Sequence, residues 1–210
     1  MTVMKNYVIT ISRGYGSGGR TIGRMLSEKL DIPFYDTELL RMASDESGIN
    51  EALFTAADEK LKPSLLRKSA GGVYRGELIP PDSGAFVSKE NLFNYVAKVI
   101  RDLARRESCV IIGRCADYIL RDMDNVLRLY VHAPFDYCVE KAVEVHGSFT
   151  REEAARYIRQ VDKRRAEYYQ YFTGGDWRAA DNYDLCLNSS DLGWDKCVSL
   201  VRAYLDIKLA

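Results

Sequence analysis

The fold is decided by one stretch near the amino terminus, Tyr7-Val8-Ile9-Thr10-Ile11-Ser12-Arg13-Gly14-Tyr15-Gly16-Ser17-Gly18-Gly19-Arg20-Thr21. Its first half is an apolar run typical of a buried strand. Its second half has the spacing G-x-x-x-x-G-K-[ST] of a phosphate-binding loop, with arginine in place of lysine. Glycines let backbone N–H groups turn inward around an anion, because no Cβ opposes the positive φ angles required. The stretch therefore predicts a nucleoside triphosphate site, with a tight glycine turn between strand and helix as the alternative.

The arginine of this loop changes the chemistry without changing the charge. A guanidinium is a wide planar fork that binds phosphate bidentately, whereas a lysine ammonium is compact and can follow the transferring phosphoryl group. We therefore expect Arg20 to preserve phosphate binding and to contact the transition state differently. The hydroxyl of Thr21 is expected to reach a magnesium ion.

Length and composition set the class of protein. The chain has 210 residues, which fits a single domain over residues 1–210 with room for a small insertion. Thirty basic and thirty acidic residues balance, so we expect neither nucleic acid nor membrane as a partner. We recognise no signal peptide and no apolar run near the roughly eighteen residues of a membrane span, so the expected location is the cytoplasm. The five cysteines form no C-x-x-C pair, and we expect reduced, buried residues rather than zinc ligands or disulfides.

Short apolar runs alternate with longer segments of helical periodicity. Five runs predict strands, the second of them weakly: Tyr7–Ser12, Pro33–Asp36, Cys109–Gly113, Leu127–Val131 and Asp184–Asn188. Continuous apolar strands separated by helices predict an α/β fold with a parallel sheet covered on both faces.

Capping signals place two of the helices. Ser88 is a suitable N-cap for a helix over Lys89–Arg106, and Thr150-Arg151-Glu152-Glu153 is a capping box that opens a helix to about Phe172. Glycines and prolines make Lys68–Gly84 a long loop or mobile flap.

Several further segments carry a resemblance to a known family. Ile32-Pro33-Phe34-Tyr35-Asp36 ends a second strand in a carboxylate, which is the pattern of nucleoside monophosphate kinases. Val110-Ile111-Ile112-Gly113-Arg114 resembles the strand-Gly-Arg element of cytidylate kinases, and Asp162-Lys163-Arg164-Arg165 resembles their arginine-rich lid. Asp184-Leu185-Cys186-Leu187-Asn188-Ser189-Ser190 looks like their last strand and base-side loop. Over most of its length, and in the same order, the chain is similar to the cytidylate kinase-like family.

The resemblance implies both a fold and an activity. The fold is a three-layer P-loop NTPase type with a five-stranded parallel sheet flanked by helices, an acceptor-binding insertion at about 37–106 and a helical lid at about 147–176. The activity is ATP- and Mg²⁺-dependent phosphoryl transfer to a nucleoside monophosphate, with cytidylate the first expectation. The lid arginines Arg164 and Arg165 are expected to close over ATP and stabilise charge on the transferring group.

The resemblance also assigns residues to the nucleotide and its acceptor. Arg20 and the loop backbone are expected to hold the β- and γ-phosphates at Gly14, Gly16, Ser17, Gly18 and Gly19. Thr21 and Asp36 are the expected magnesium ligands. Asp36 is also expected near the acceptor, with a helix N-cap as the alternative. Arg114 is expected to clamp the acceptor's α-phosphate, and Arg41 is a looser match to a second acceptor arginine, with a solvated helix position as the alternative.

Two features of the lid remain open at this point. Arg165 falls on the apolar stripe of its helix, so it must find an anion or extend to solvent, and a solvated charged face is the alternative for the group. Tyr168-Tyr169-Gln170-Tyr171-Phe172 suits core packing or a contact between two copies of the chain better than base stacking, which leaves a homodimer open.

The chain departs from the family at one acceptor position. Cys115 stands where the family has an aspartate that helps to recognise the pyrimidine nucleotide. Residues 55–90, which would shape the acceptor pocket, match no pattern, so a kinase for another small-molecule acceptor is one alternative. Arg20 and Cys115 together favour a second alternative, a catalytically weak nucleotide-binding sensor.

Overall fold

In the computed structural model, which describes residues 6–59, 74 and 76–209, five strands form one parallel sheet. In chain order they are β1 (Val8–Arg13), β2 (Phe34–Tyr35), β3 (Cys109–Ile112), β4 (Val126–His132) and β5 (Leu185–Asn188). Their order across the sheet is β2-β3-β1-β4-β5. The glycine-rich turn therefore leaves the central strand, with chain order running in opposite directions on its two sides, which is where open α/β sheets bind ligands.

Helices make the connections and cover the sheet. They are α1 (Gly19–Leu30), α2 (Glu38–Ser47), α3 (Glu51–Glu59), α4 (Lys89–Arg106), α5 (Ala116–Ile119), α6 (Phe135–His146), α7 (Arg151–Thr173), α8 (Ser189–Leu192) and α9 (Trp194–Leu209), with a 3₁₀ turn at Ala180–Asn182. The predicted caps are confirmed: the Ser88 side chain accepts from the Asn91 N–H, and Thr150 forms a capping box with Glu153. Across the ranges described, none of the helices has the length and apolarity to span a bilayer.

Apolar clusters on the two faces of the sheet explain why the strands are continuously hydrophobic. Within β1, Val8 belongs to the cluster with α2 to α4, whereas Ile9 and Ile11 belong to the cluster with α1 and α9. Successive side chains of a strand point to opposite faces, so a strand buried on both sides has no face that turns to solvent. The predicted three-layer α/β arrangement is confirmed.

The aromatic block at the end of α7 packs into the first of these clusters. Tyr169, Tyr171 and Phe172 are buried, and Phe172 stacks on Phe93 with ring centroids 4.0 Å apart. The core-packing interpretation of this block is confirmed.

The structure corrects one cysteine prediction. Four cysteines are buried, but Cys186 is exposed, and all five are free. Cys186 lies on β5, an edge strand that has a neighbour only at β4 in the described sheet. Of the loop predicted at Lys68–Gly84, residues 68–73 and 75 lie outside the described part of the chain, and the described residues up to Gly84 form turns and irregular backbone.

Candidate active site

The turn between β1 and α1 requires glycine at two positions. Gly16 and Gly18 both have a φ of +79°, in the left-handed region. A Cβ on Gly16 would lie 2.6 Å from the Cys138 carbonyl oxygen, and one on Gly18 would lie 2.3 Å from Trp194 Nε1. The loop therefore needs glycine both for its backbone angles and for its close contact with α6 and α9.

The conformation of this loop fits a bound phosphate. Gly18 is the N-cap of α1 and has no side chain to bond the first N–H groups of the helix. The hydroxyl of the buried Ser17 donates to the Gly14 carbonyl at 2.8 Å and the Val131 carbonyl at 3.0 Å, so it braces the loop. Backbone N–H groups at a helix amino terminus are natural partners for an anion.

Arg20 reaches from α1 to the end of β2. Its Nε lies 2.7 Å from Asp36 Oδ2, and the Arg20 side chain is 58% exposed whereas that of Asp36 is 11% exposed. Arg114 Nε donates to the Asp36 carbonyl at 3.1 Å. The helix N-cap alternative for Asp36 is wrong, because Thr37 occupies that position of α2. Asp36 instead joins two arginines, one through its side chain and one through its backbone.

A cavity of about 310 Å³, here called the first cavity, lies beyond the ends of β1 and β3. Its charged lining consists of Arg13, Arg114, Arg164, Arg165 and Asp36. Four arginines face one carboxylate, so the cavity favours an anionic ligand. The rest of the lining is largely uncharged and includes Cys115, Tyr168, Tyr169 and Trp177.

Arg165 turns inward from α7 and meets an anion. Its Nη1 lies 3.0 Å from the Arg13 carbonyl oxygen and 3.3 Å from Asp162 Oδ1. Burial lowers the pKa of Arg165 and raises the pKa of Asp162, because both groups lose hydration inside the protein, and the attraction between them opposes both shifts only in part. An arginine on the apolar stripe was expected either to find an anion or to extend to solvent, and Arg165 has an anionic partner in Asp162. The neighbouring Arg164 is exposed at the cavity wall.

A second cavity, of about 440 Å³, lies on the other side of β1, beyond β4 and β5. Gly14 and Tyr15 of the loop line it together with Asp162 of α7 and Arg178. Aromatic side chains make up much of its wall: Tyr15, Tyr130, His132 and Phe135. The first residues of the phosphate loop therefore separate a cationic cavity from an aromatic one.

Seven of the residues predicted for the site line neither cavity: Gly16, Ser17, Gly18, Gly19 and Arg20 of the glycine-rich turn, with Thr21 and Arg41. Thr21 is exposed on the first turn of α1, and Arg41 is exposed on α2. Of the other predicted residues, Gly14 lines the second cavity, whereas Asp36, Arg114, Arg164 and Arg165 line the first.

Sequence reasoning missed three charged groups near the loop: Arg13, Asp162 and Arg178. Asp162 lies three residues before Arg165, a spacing that brings side chains together on a helix and was the available signal. Arg178 lies in the irregular segment after α7, where no periodicity indicates its direction.

A magnesium ion is the metal that a phosphate loop implies. In the part of the chain that the structure describes, no group of three or more histidine, cysteine, aspartate or glutamate side chains is placed to hold a metal ion. Mg²⁺ bound with phosphates needs only one or two protein oxygens, because phosphates and waters complete its octahedral shell. The donor set of the loop region is compatible with such a shared ion.

Comparisons with known proteins agree with this geometry. The pattern of the cytidylate kinase-like family matches residues 8–191. The cytidylate kinase of Methanopyrus kandleri is 24% identical over 208 residues, which cover 95% of this chain and 93% of that protein. An uncharacterized protein from Eubacterium ventriosum has a similar structure, with a TM-score of 0.69 and 22% identity over 96% of this chain and 99% of that chain.

A shikimate kinase from Bacteroides thetaiotaomicron shares the fold more distantly. Its TM-score is 0.51 at 13% identity, over 95% of this chain and 98% of that chain. These structural likenesses show an α/β P-loop kinase fold. The family match runs from β1 into α8 and so includes the glycine-rich loop and the elements around both cavities. On this evidence the chain belongs to the cytidylate kinase-like family.

Proposed function

We propose that this kinase transfers the γ-phosphoryl group of ATP to a nucleoside monophosphate, with cytidylate as the first acceptor to test. The observation that carries the proposal is the first cavity, in which four arginines lie beside a glycine loop of phosphate-binding geometry. Such an arrangement suits a reaction in which two phosphate-bearing molecules must approach each other.

The donor nucleotide is assigned to the loop and the second cavity. The backbone of Gly14–Gly19 and the start of α1 would hold its β- and γ-phosphates, supported by the positive φ angles of Gly16 and Gly18. The aromatic wall around Tyr130 and Phe135 suits a planar base.

The acceptor is assigned to the first cavity. Arg114, braced on the Asp36 carbonyl, would bind its phosphate, and the uncharged end near Cys115 and Tyr168 would receive its nucleoside. A volume of about 310 Å³ is at the lower end of the range that binds small ligands. The cavity therefore suits a mononucleotide better than a larger acceptor.

Transfer itself asks the protein for positioning and neutralisation of charge. Arg165, held at the loop by the Arg13 carbonyl, and Arg164 at the cavity wall would face the negative charge shared by the two phosphates. Arg20 would bind phosphate at the loop, and Asp36 would hold the orientation of its guanidinium. Thr21 and Asp36 are the proposed protein oxygens for Mg²⁺, which would supply further neutralisation of the phosphates.

One observation favours a second candidate, a kinase for another small anionic acceptor. Cys115 is buried in the lining of the first cavity, where Asp36, already paired with Arg20, is the carboxylate present. The nucleoside end of the cavity thus lacks the charge that would select a pyrimidine edge strongly.

The test is ADP formation with ATP, Mg²⁺ and a panel of acceptors, led by CMP, dCMP and UMP. We expect turnover with at least one of them, and thermal stabilisation by the same acceptor together with a non-hydrolysable ATP analogue. Stabilisation by the analogue without turnover across the panel would exclude the nucleoside monophosphate as acceptor.

A substitution in the first cavity sharpens this test. Arg114→Gln should raise the acceptor KM by about tenfold or more, since a charged phosphate contact is worth about 1.5–3 kcal/mol, and should leave the KM for ATP nearly unchanged. Arg121→Gln is the matched control, because Arg121 is exposed, lies over the Tyr118 ring and lines neither cavity. Equal kinetic effects of the two substitutions would contradict the role of Arg114.

A further inference from the structure

One buried carboxylate joins three segments of the chain beside the phosphate loop. Asp162 Oδ1 accepts from the Tyr15 N–H at 2.9 Å and lies 3.3 Å from Arg165 Nη1, and Asp162 Oδ2 lies 3.6 Å from Arg178 Nη2. Asp162 itself is 9% exposed. These four residues, Tyr15, Asp162, Arg165 and Arg178, are called the Asp162 bridge below.

The bridge connects the two cavities. Arg165 lines the first cavity, whereas Asp162, Arg178 and Tyr15 line the second, so the Asp162–Arg165 contact runs from one cavity to the other. In the proposed reaction, donor and acceptor phosphates must meet at this boundary. A shift of either arginine would therefore change the neutralisation of the charge that develops during transfer.

We propose that Asp162 is a positioning residue for the phosphoryl transfer proposed above: its carboxylate holds Arg165 on the acceptor side and Arg178 on the donor side, in register with the phosphate loop. The inference rests on the proposed function for its chemistry. Its geometric basis is the set of contacts within the Asp162 bridge.

A charged group is needed beside Arg165 because its guanidinium is partly desolvated, whereas the Arg178 side chain is 63% exposed. The Arg165 side chain is only 24% exposed, and a guanidinium with so little water keeps a fixed orientation only when an anion faces it. The Arg13 carbonyl supplies one neutral contact to Arg165, and Asp162 supplies the charge.

The side chain of Tyr15 ties the same part of the loop to the α6–α7 pair. Its hydroxyl is 2.8 Å from His146 Nε2, and its ring meets the Tyr157 ring edge-on with centroids 5.1 Å apart. The loop and α7 are therefore joined through both the backbone and the side chain of one residue. Arg165 lies beside this packing, with its guanidinium carbon 5.8 Å from the centre of the Tyr15 ring.

The kinetic test separates positioning from binding. Asp162→Asn preserves shape and an oxygen for the Tyr15 N–H but removes the charge that holds both arginines. We expect kcat to fall by about 10- to 100-fold while the KM for ATP changes by less than about threefold, because arginines that act on developing charge affect the transition state more than the ground state. Asp162→Glu, which restores the charge, should recover part of the lost kcat.

Glu167→Gln is the matched control. Glu167 lies on the same helix, 3.8 Å from Lys163, and lines neither cavity, so its substitution should leave kcat within about twofold. If Asp162→Asn behaves like Glu167→Gln, the proposal is overturned. It is also overturned if kcat falls only as much as the folded fraction, measured by circular dichroism, and Asp162→Glu recovers nothing.

Amide hydrogen exchange tests the bridge without turnover. In the unliganded protein the Tyr15 amide should exchange slowly, and Asp162→Ala should speed its exchange at least tenfold while Glu167→Gln leaves it unchanged. Fast exchange of the wild-type amide would overturn the bridge. An absence of wild-type turnover with every acceptor, alongside a protected Tyr15 amide, would instead refute the proposed function and the positioning role that rests on it, leaving only the contacts of the bridge.

Discussion

Arg20 illustrates how a single residue can depart from a motif and still suit the site. Its Nε is occupied by Asp36 at 2.7 Å, which leaves the two terminal nitrogens of the same guanidinium for phosphate. A lysine ammonium has one nitrogen and must satisfy both partners from one point. The arginine thus suits a loop whose neighbouring strand ends in a carboxylate.

We therefore expect Arg20→Lys to lower kcat/KM for ATP by about tenfold, or about 1.4 kcal/mol in transition-state stabilisation. Steady-state kinetics with the best acceptor measures the change. Arg24→Lys is the control, because Arg24 lies on the same helix over the Phe34 ring and outside both cavities. A rise in kcat/KM for Arg20→Lys would contradict this account and would mark a loop better suited to lysine.

Asp117 is a second residue whose surroundings determine its chemistry. It is 2% exposed and accepts from the Tyr169 hydroxyl at 2.7 Å and the Ser12 hydroxyl at 3.3 Å. Burial raises the pKa of its carboxyl, and the hydrogen bonds oppose that shift only in part. Because Ser12 and Tyr169 line the first cavity, Asp117 supports the floor of that cavity.

The raised pKa of Asp117 has a consequence for stability. The folded state binds this proton more tightly than the unfolded state, whose pKa is about 4. The contribution of Asp117 to the free energy of unfolding is therefore greatest at low pH and declines as pH rises from about 4 through the raised folded pKa. Asp117→Asn removes this penalty, so its stability relative to wild type should increase as the pH rises above about 4, as measured by urea unfolding.

Asp122→Asn is the control, because the expected change in stability has the opposite sign. A hydrogen bond from Arg101 lowers the pKa of Asp122, so the charged carboxyl is the favoured form in the folded state. Its substitution should cause a small loss of stability at pH 8, because the pair is exposed. A pH-independent difference between wild type and Asp117→Asn would contradict the burial argument.

At the scale of elements, the phosphate loop depends on packing as well as on backbone angle. Gly16 and Gly48 have similar positive φ values, +79° and +72°. A Cβ on Gly16 would meet the backbone of α6, whereas one on Gly48 would meet nothing within 4 Å. Substituting alanine at each of the two positions therefore distinguishes the energetic cost of a left-handed backbone from the cost of a steric clash.

Gly48→Ala should lower the free energy of unfolding by about 1–2 kcal/mol, the usual cost of a left-handed alanine. Gly16→Ala should cost clearly more, because the Cys138 carbonyl belongs to a helix and cannot turn aside, and it should abolish stabilisation by a non-hydrolysable ATP analogue. Urea unfolding and thermal shifts measure both effects. Equal losses of stability, with analogue binding retained in Gly16→Ala, would show that the loop accommodates a side chain there.

At the scale of the whole molecule, the central sheet joins two apolar clusters into one unit. Each buried strand supplies side chains to both faces, as Ile111 and Ile112 of β3 do. Trp177 lies in one cluster and Trp194 packs against the other. Both clusters use side chains of the same strands, so loss of either cluster would expose one face of the sheet and destabilise the strands that support the other. The two faces should therefore unfold together.

The two tryptophans make this testable, since they are the only two in the chain. In Trp177→Phe the remaining fluorescence comes from Trp194, which packs against the cluster with α1 and α9. In Trp194→Phe it comes from Trp177, which lies in the cluster with α2 to α4. In each variant the urea midpoint from fluorescence should coincide with the midpoint from far-ultraviolet circular dichroism. Midpoints that separate in either variant would show that one face unfolds independently.

Local interactions explain which features could be predicted from the sequence. The strand–loop–helix unit, the Ser88 cap and the Thr150 capping box depend on residues only a few positions apart, so periodicity and side-chain type were sufficient. The meeting of Asp36 and Arg114 was also within reach, because they follow β2 and β3 and parallel strands bring their carboxyl ends to one edge. Arg165 lies on α7, and only the resemblance to the family indicated its place near the loop.

The sequence by itself therefore determined a parallel α/β kinase fold with a phosphate loop at its centre. Tertiary structure alone decided that Arg20 pairs with Asp36, that Cys186 is exposed and that Asp162 holds the loop. Tyr15 and Asp162 are 147 residues apart, and their contact depends on how α7 crosses the ends of the strands. Periodicity records which face of a helix is buried, but the partner of a buried charge is set by chain segments that only the folded arrangement brings together.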